Sequence, residues 1–346
     1  MSSGPVNSLV QAMSSTAPLA AIFGCAGPVL QADEAAFFRD CDPLGFILFA
    51  RNCQTPEQIR RLTGDLRNAV GRTDAPVLMD QEGGRVQRLP SPPWRKVPAP
   101  GLLGQLPPEK AAMAVALNAQ LMAMELKELG VDVNCVPSLD VNDAAGHQVI
   151  GDRALSADPG VVAQLGRALA DGLARGGVLP VMKHMPGHGR ATVDSHLELP
   201  IVTADRRELT ARDFLPFMSL ADLPLGMSAH VLYTELDPDN PATLSKRIID
   251  EVIRGQIGFQ GLLFTDDLSM QALGGEIGQR AAAALAAGCD VALHCNGERA
   301  DMQSVAAACH GLTAAGQGRW QSALDWRRPL ESASREDITA KLAALL

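Results

Sequence analysis

The chain alternates short apolar runs with longer stretches in which apolar residues recur every three or four positions. Apolar runs bounded by turn-forming residues fit buried strands, and the longer period fits amphipathic helices. Eight runs qualify as strands: Ala20–Cys25, Gly45–Phe49, Val77–Asp80, Val131–Val141, Val178–His184, Leu225–Leu232, Gly261–Asp266 and Val291–Cys295. Thr55-Pro56-Glu57-Gln58 reads as a capping box with proline at the first helical position, and Ile59, Leu62, Leu66 and Val70 then share one face. Asp158-Pro159 opens another helix, with Val162, Leu165, Leu169 and Leu173 inward and Gly176-Gly177 closing it. Eight strands, most followed by room for a helix, predict an α/β chain folded as a TIM-type (β/α)8 barrel. A doubly wound sheet is the alternative, but no G-x-G-x-x-G follows the first strand. The 346 residues exceed the ~250 typical of such barrels, which leaves room for extended loops and a C-terminal helical tail. No linker, repeat or low-complexity tract interrupts the pattern. A single domain over residues 1–346 is expected, with the barrel over residues 20–310.

The active site of a β/α barrel lies at the C-terminal ends of its strands. Here the apolar runs end in Asp80, Asp140, Lys183-His184, His230, Asp266, and His294 with Asn296. Any one aspartate there serves equally well to cap the next helix, but six polar ends at one rim predict a polar mouth. The densest segment runs from Lys183 to His196 and holds three histidines, a lysine, an arginine and an aspartate. Such groups are costly to bury without a role. Pro186, Gly187 and Gly189 oppose helix and strand, so a loop leaves the fifth strand here. Asp194 and His196 are two apart and share a face in an extended segment. A carboxylate beside an imidazole fixes its tautomer and raises its pKa, as a general acid/base needs. A loop salt bridge without chemistry is the plainer alternative. The histidines also raise metal binding, yet Pro186 and Gly187 prevent the helix that would align His184 with His188, and no H-E-x-x-H or early H-x-H occurs. No metal and no other cofactor is expected.

Asp266 ends an apolar strand, which holds a carboxylate rigid and partly desolvated, as suits a nucleophile. Asp267 is the natural capping residue, although from sequence alone the two can be exchanged. Asp80-Gln81-Glu82-Gly83-Gly84-Arg85-Val86-Gln87-Arg88 is either a capped turn or a cluster of charges around two glycines that grasps sugar hydroxyls. Arg153, beyond the fourth strand, is within reach of the same mouth.

Composition narrows the partners. Acidic residues outnumber basic ones 39 to 30, for a formal charge of −9, which disfavours nucleic acid and anionic membranes as main partners. Seven cysteines without a C-x-x-C spacing indicate neither a disulfide framework nor a zinc ribbon, and reduced thiols suit a cytoplasmic location. The N-terminal stretch lacks a charged leader region, and no window reaches the length of a membrane span. The expectation is a cytoplasmic monomer acting on a small molecule.

Taken together the motifs resemble glycoside hydrolase family 3, specifically its single-domain bacterial β-N-acetylglucosaminidases of cell-wall recycling. The pattern K-H-F-P-G-H-G followed by D-S-H matches Lys183–His196, with Met185 for the aromatic, and D-Q-E-G-G-R-V-Q-R matches Asp80–Arg88 throughout. The pattern F-S-D-D-L-S-M matches Phe264–Met270 with Thr265 for serine, and G-x-I-L-F-x-R-N is met by Gly45, Ile47, Leu48, Phe49, Arg51 and Asn52. The resemblance spans roughly residues 20–310. It implies Asp266 as nucleophile, His196 as acid/base with Asp194 as its partner, and sugar binding by Asp80, Arg88, Arg153, Lys183 and His184. The implied reaction is retaining hydrolysis of a terminal β-linked N-acetylglucosamine, by resemblance in a muropeptide fragment. A β-glucosidase or xylosidase of the same family and a non-catalytic sugar-binding barrel are the alternatives.

Overall fold

A computed structural model describes residues 17–143, 150–191, 193, 195, 197–327 and 333–346. All eight expected strands are present: β1 Leu19–Gly24, β2 Pro43–Leu48, β3 Val77–Met79, β4 Val133–Asn134, β5 Leu179–Met185, β6 Leu225–Ser228, β7 Leu262–Asp267 and β8 Val291–His294. They close in chain order, with β8 pairing back onto β1, and every pair is parallel. Helices cover the outside, as the (β/α)8 pattern requires.

Side-chain alternation separates two apolar layers. Ala20, Ile22, Leu78, Val133, Leu179, Val181, Leu225, Met227, Leu262, Phe264, Val291 and Leu293 fill the barrel interior. Their neighbours, among them Ala21, Phe23, Val77, Met79, Met182 and Leu263, face the helices. The helix expected after Thr55 spans Pro56–Val70, and Thr55 accepts a hydrogen bond from the Gln58 amide at 3.2 Å. A cap of this kind stabilises by about 1 kcal/mol. The return bond goes one residue further back, because Gln58 Oε1 accepts from the Gln54 amide instead of that of Thr55. Ile59, Leu62 and Leu66 are buried, each contributing about 1.5–3 kcal/mol, while Val70 on the last turn is half-buried. The helix opened by Asp158 spans Pro159–Arg175, with the Asp158 carboxylate accepting from Gly160 and Val161.

Two strands are shorter than their apolar runs. Val131–Val141 contributes only Val133–Asn134 as regular strand, and Pro137 beyond it has no N–H to give to a ladder. The chain nevertheless stays beside β5, where Lys183 N donates to Pro137 O at 3.0 Å and Leu139 N to Lys183 O at 2.7 Å. Leu225–Leu232 also divides: β6 stops at Ser228, and Leu232–Tyr233 pairs separately with Ile201–Val202. The tail is helical as expected. Leu312, Trp320 and Ala323 join the interior apolar cluster from helix Ala314–Trp326 and the residues before it. Leu312 N donates to Pro18 O at 2.7 Å, which fixes this plug at the start of β1 and leaves the C-terminal end of the barrel for a cavity. Among the described residues no helix is long and apolar enough to cross a membrane.

Candidate active site

A cavity of about 260 Å³ lies at the C-terminal mouth of the barrel. Alternation along the strands explains which charges reach it. Asp80 is two residues beyond inward-facing Leu78, Lys183 two beyond Val181, and Asp266 two beyond Phe264. His184 has the opposite parity, but the β5–β6 register slips between Met182 and Met185, and His184 lines the cavity as well. Arg88 and Arg153 arrive on loops. All six of these predicted residues therefore meet in one place. Asp194 and His196 lie outside the described residues.

One wall is an ionic network. Lys183 Nζ stands 2.9 Å from Asp80 Oδ1 and 2.7 Å from Glu82 Oε1. Arg153 holds Glu82 with two bonds of 2.8 Å, and Arg88 donates to Asp80 Oδ2 at 3.1 Å. Burial would raise both carboxyls, but Lys183, with Arg88 on Asp80 and Arg153 on Glu82, holds each below its usual range. Burial would likewise lower the Lys183 ammonium, and Asp80 and Glu82 hold it above the ordinary lysine value. The Asp80–Arg88 segment is a tight turn, with Glu82 and Gly83 amides both donating to Val86 O. Gly83 has φ 103°, and a Cβ there would come within 2.2 Å of Pro98 O, so the turn requires glycine. Each oxygen of Asp80 spends one lone pair on a cation and retains another for a hydroxyl.

The opposite wall is built on Asp140, which is fully buried. It accepts His184 Nδ1–H at 2.7 Å, the His188 amide at 2.6 Å and the Ser138 hydroxyl at 2.9 Å. Burial would raise this carboxyl, but its contacts with His184 and His188 hold it well below the usual range. With Nδ1 committed, His184 directs Nε2 toward Asp266 Oδ2, 4.0 Å away. Asp266 Oδ1 accepts the Asp267 amide at 2.8 Å. Burial opposes ionisation of Asp266, and His184 and His230 outweigh it, so the carboxylate is favoured. Its side chain retains 17% exposure, enough to be reached from the cavity. Asp267 caps the following turn: its carboxylate accepts the Ser269 amide and hydroxyl and the Cys295 amide. An ionised, anchored carboxylate with one oxygen free can attack an electrophilic carbon.

Not every polar strand end opens on the cavity. His230 and His294 have outward parity, following inward Met227 and Leu293 by three residues and one. His230 bonds Thr243 and the Asp267 carbonyl, Asn296 bonds Asp301, and Asp140 works from beneath. The sequence offers Glu82 only as one charge in a turn and Asp140 only as one strand end, yet Glu82 holds Lys183 and Arg153, and Asp140 holds His184. Glu82 could have been singled out by its place two residues beyond Asp80, on the same face of an extended segment. The G-x-I-L-F-x-R-N segment also finds its use. Arg51 donates to the Cys25 and Cys295 carbonyls, and Asn52 donates to Cys25 and Gly27 while accepting from Phe49, which ties together the ends of β1, β2 and β8. The Phe49 ring lines the cavity with the Arg51 and Arg88 guanidinium carbons 5.1 and 4.8 Å from its centroid.

A closed barrel whose mouth gathers an ionised carboxylate and a network of paired charges has the make-up of an enzyme's active site. The chain belongs to glycosyl hydrolase family 3, whose N-terminal domain model matches residues 30–317. It is 43% identical over 284 residues to a beta-hexosaminidase from Alkalilimnicola ehrlichii, covering 80% of each chain. Among solved structures it is similar to NagZ from Neisseria gonorrhoeae in complex with N-trifluoroacetyl-D-glucosamine, with a TM-score of 0.84 and 32% identity over 95% of this chain and 98% of that one. The same Neisseria protein in complex with a zinc ion superposes with a TM-score of 0.81 at 31% identity, over 95% of this chain and 96% of that one.

Proposed function

We propose that this chain hydrolyses the bond of a terminal β-linked N-acetylglucosamine with retention of configuration, as a single catalytic domain over residues 1–346. The observation that carries the reading is Asp266: ionised, anchored through Oδ1, and facing His184 with Oδ2 inside the cavity that Lys183, Asp80 and Glu82 border. Asp266 attacks the anomeric carbon and forms a glycosyl-enzyme, and water then releases the sugar. His196 protonates the departing oxygen and later activates the water, oriented by Asp194. An imidazole of ordinary pKa near 6.5 exchanges protons readily at neutral pH. Asp80, Arg88, Arg153, Lys183 and His184 bind the sugar. The names of the relatives support the 2-acetamido preference, and a muropeptide fragment in the cytoplasm, cleaved by a monomer, is the substrate setting we favour. Release of nitrophenol from the β-N-acetylglucosaminide, run beside the glucoside and xyloside, tests this reading; equal rates on all three would sink it.

Two predictions bear on the chemistry. Protonation matters most for a poor leaving group, so His196→Ala should slow cleavage of a natural disaccharide by about 100-fold. Formation of the glycosyl-enzyme from a nitrophenyl substrate should fall far less, with a burst of nitrophenol because the second step lacks its base. Asp194→Ala should show the same pattern more weakly. Stopped-flow traces on both variants decide, and equal losses on good and poor leaving groups without a burst would remove His196 from this role. The reaction needs protein groups alone, so full activity should survive prolonged chelation. A loss restored by zinc would place His184, His188 and His196 in a metal site.

A further inference from the structure

The Asp267 amide holds Oδ1 of Asp266 at 2.8 Å, so the position of that one N–H decides where the carboxylate points. Every other polar group of Asp267 is tied. Its Oδ1 accepts the Ser269 amide at 3.0 Å and the Cys295 amide at 3.1 Å, and its Oδ2 accepts the Ser269 hydroxyl at 2.6 Å. Cys295 is itself held, its carbonyl accepting from Arg51. The Asp267 carbonyl is held from two sides: the Met270 amide of its own turn donates to it at 3.1 Å, and across the seam His230, two residues past β6, donates from Nε2 at 3.0 Å. A carbonyl only accepts, so Nε2 carries the proton. On the other side of the ring Nδ1 lies 2.8 Å from Thr243 Oγ1, and Ser228 Oγ lies 2.8 Å from the same hydroxyl. His230 is fully buried and does not line the cavity, so it has no sugar to bind there. A histidine sealed in such a place loses hydration that an apolar residue would not, and the two directed bonds are what its shape supplies in return.

We propose that His230 is a positioning residue for the nucleophile: it supplies the cross-strand hold on the Asp267 carbonyl, over the β6–β7 seam, that the local Met270 bond cannot, and so steadies the residue whose amide aims Asp266. The inference rests on Asp266 being the nucleophile. With Oδ1 held by the amide, Oδ2 on the His184 side is the oxygen that bonds the anomeric carbon. Slackening the clamp lets the Asp266 carboxylate turn, and small misplacements of a reacting atom cost rate more than they cost binding.

Two substitutions separate this role from bulk packing. In His230→Gln the side-chain amide nitrogen reaches the position of Nε2 and keeps the donor to Asp267. In His230→Asn the amide reaches only the Thr243 side and the clamp is lost. Inactivation by a fluorinated N-acetylglucosaminyl fluoride reads out binding and covalent-bond formation separately, and peptide mapping locates the label. His230→Asn should lower the rate constant for inactivation by about 10- to 100-fold with its binding constant within about twofold of wild type. His230→Gln should stay within about threefold of wild type in both. If the asparagine variant fails to fold, a strong loss of inactivation rate in a folded glutamine variant alone overturns the proposal. Equal slowing of both variants in step with lowered melting temperatures also overturns it, as does an unchanged rate in His230→Asn while wild type carries the label on Asp266. A wild-type label on Asp267 overturns the nucleophile reading and this inference with it.

Discussion

Asp266→Asn should keep the wild-type melting temperature while turnover of the nitrophenyl β-N-acetylglucosaminide falls by roughly 10⁴-fold or more. The amide is isosteric and can still accept the Asp267 N–H at Oδ1, so the turn behind it has no reason to move. What disappears is the negative oxygen beside His184. A neutral amide neither attacks the anomeric carbon nor balances the positive charge that develops there. The substrate should still bind, because Lys183, Arg88 and Arg153 keep their carboxylate partners. Thermal melts, steady-state rates and sugar titrations on one preparation check all three parts. Near-normal turnover would transfer the role to another carboxylate, with Asp267 the first to examine.

Lys183→Met should be the most damaging change to the opposite wall, in stability as well as activity. Its ammonium, 3% exposed, bridges Asp80 and Glu82, and its loss leaves two carboxylates with one cation each. Breaking a buried pair costs about 3–5 kcal/mol, and the surviving bonds from Arg88 and Arg153 place this case near the lower end. Because Asp80 loses its fixed geometry, kcat/KM should also drop by roughly 10³-fold. Urea unfolding and nitrophenyl kinetics measure the two effects. Adding Glu82→Gln to Lys183→Met should recover part of the stability and none of the activity. Recovery of both would mean that Lys183 serves only to neutralise Glu82. The pH dependence follows the same pairs. Asp80 and Glu82 sit below their ordinary values, so their contribution is complete above the unfolded carboxylate pKa and fades as pH falls below about 4. Lys183 sits above its ordinary value, so its contribution is complete below about pH 10 and fades as pH rises further.

Much of this was legible before any coordinates. The eight strands follow from apolar runs because a parallel barrel buries both faces of each strand, and Asp80, Lys183 and Asp266 follow from their places at strand ends. His230 and His294 show where the reading was too generous. They also end apolar runs, but counting by twos from Met227 and Leu293 sends them outward, a parity the sequence contained and the strand-end rule ignored. His184 shows the reverse: alternation sends it outward, yet it lines the cavity where the β5–β6 register slips, and no local pattern encodes that. The regular pairing lost after Asn134 belongs to the same class: apolarity extends through Val141, while Pro137 leaves a gap in the bonds to β5, which resume at Leu139. Asp140 was visible as a strand end, but its grip on His184 and on the His188 amide depends on residues 44 and 48 positions away.

The paired charges on the Lys183 wall have a consequence for range. Three cations meet two carboxylates within hydrogen-bonding distance and the Asp266 carboxylate across the cavity balances the third, so their fields largely cancel a few ångströms out, and what the incoming sugar meets is a set of directions. Dissolved ions weaken interactions that act over a Debye length, about 8 Å at physiological ionic strength, and do little to bonds already closed inside a buried network. The grip on an uncharged sugar ring is therefore indifferent to the saltiness of the medium. Discrimination depends on where each hydroxyl points, and not on how strongly the cavity attracts from afar.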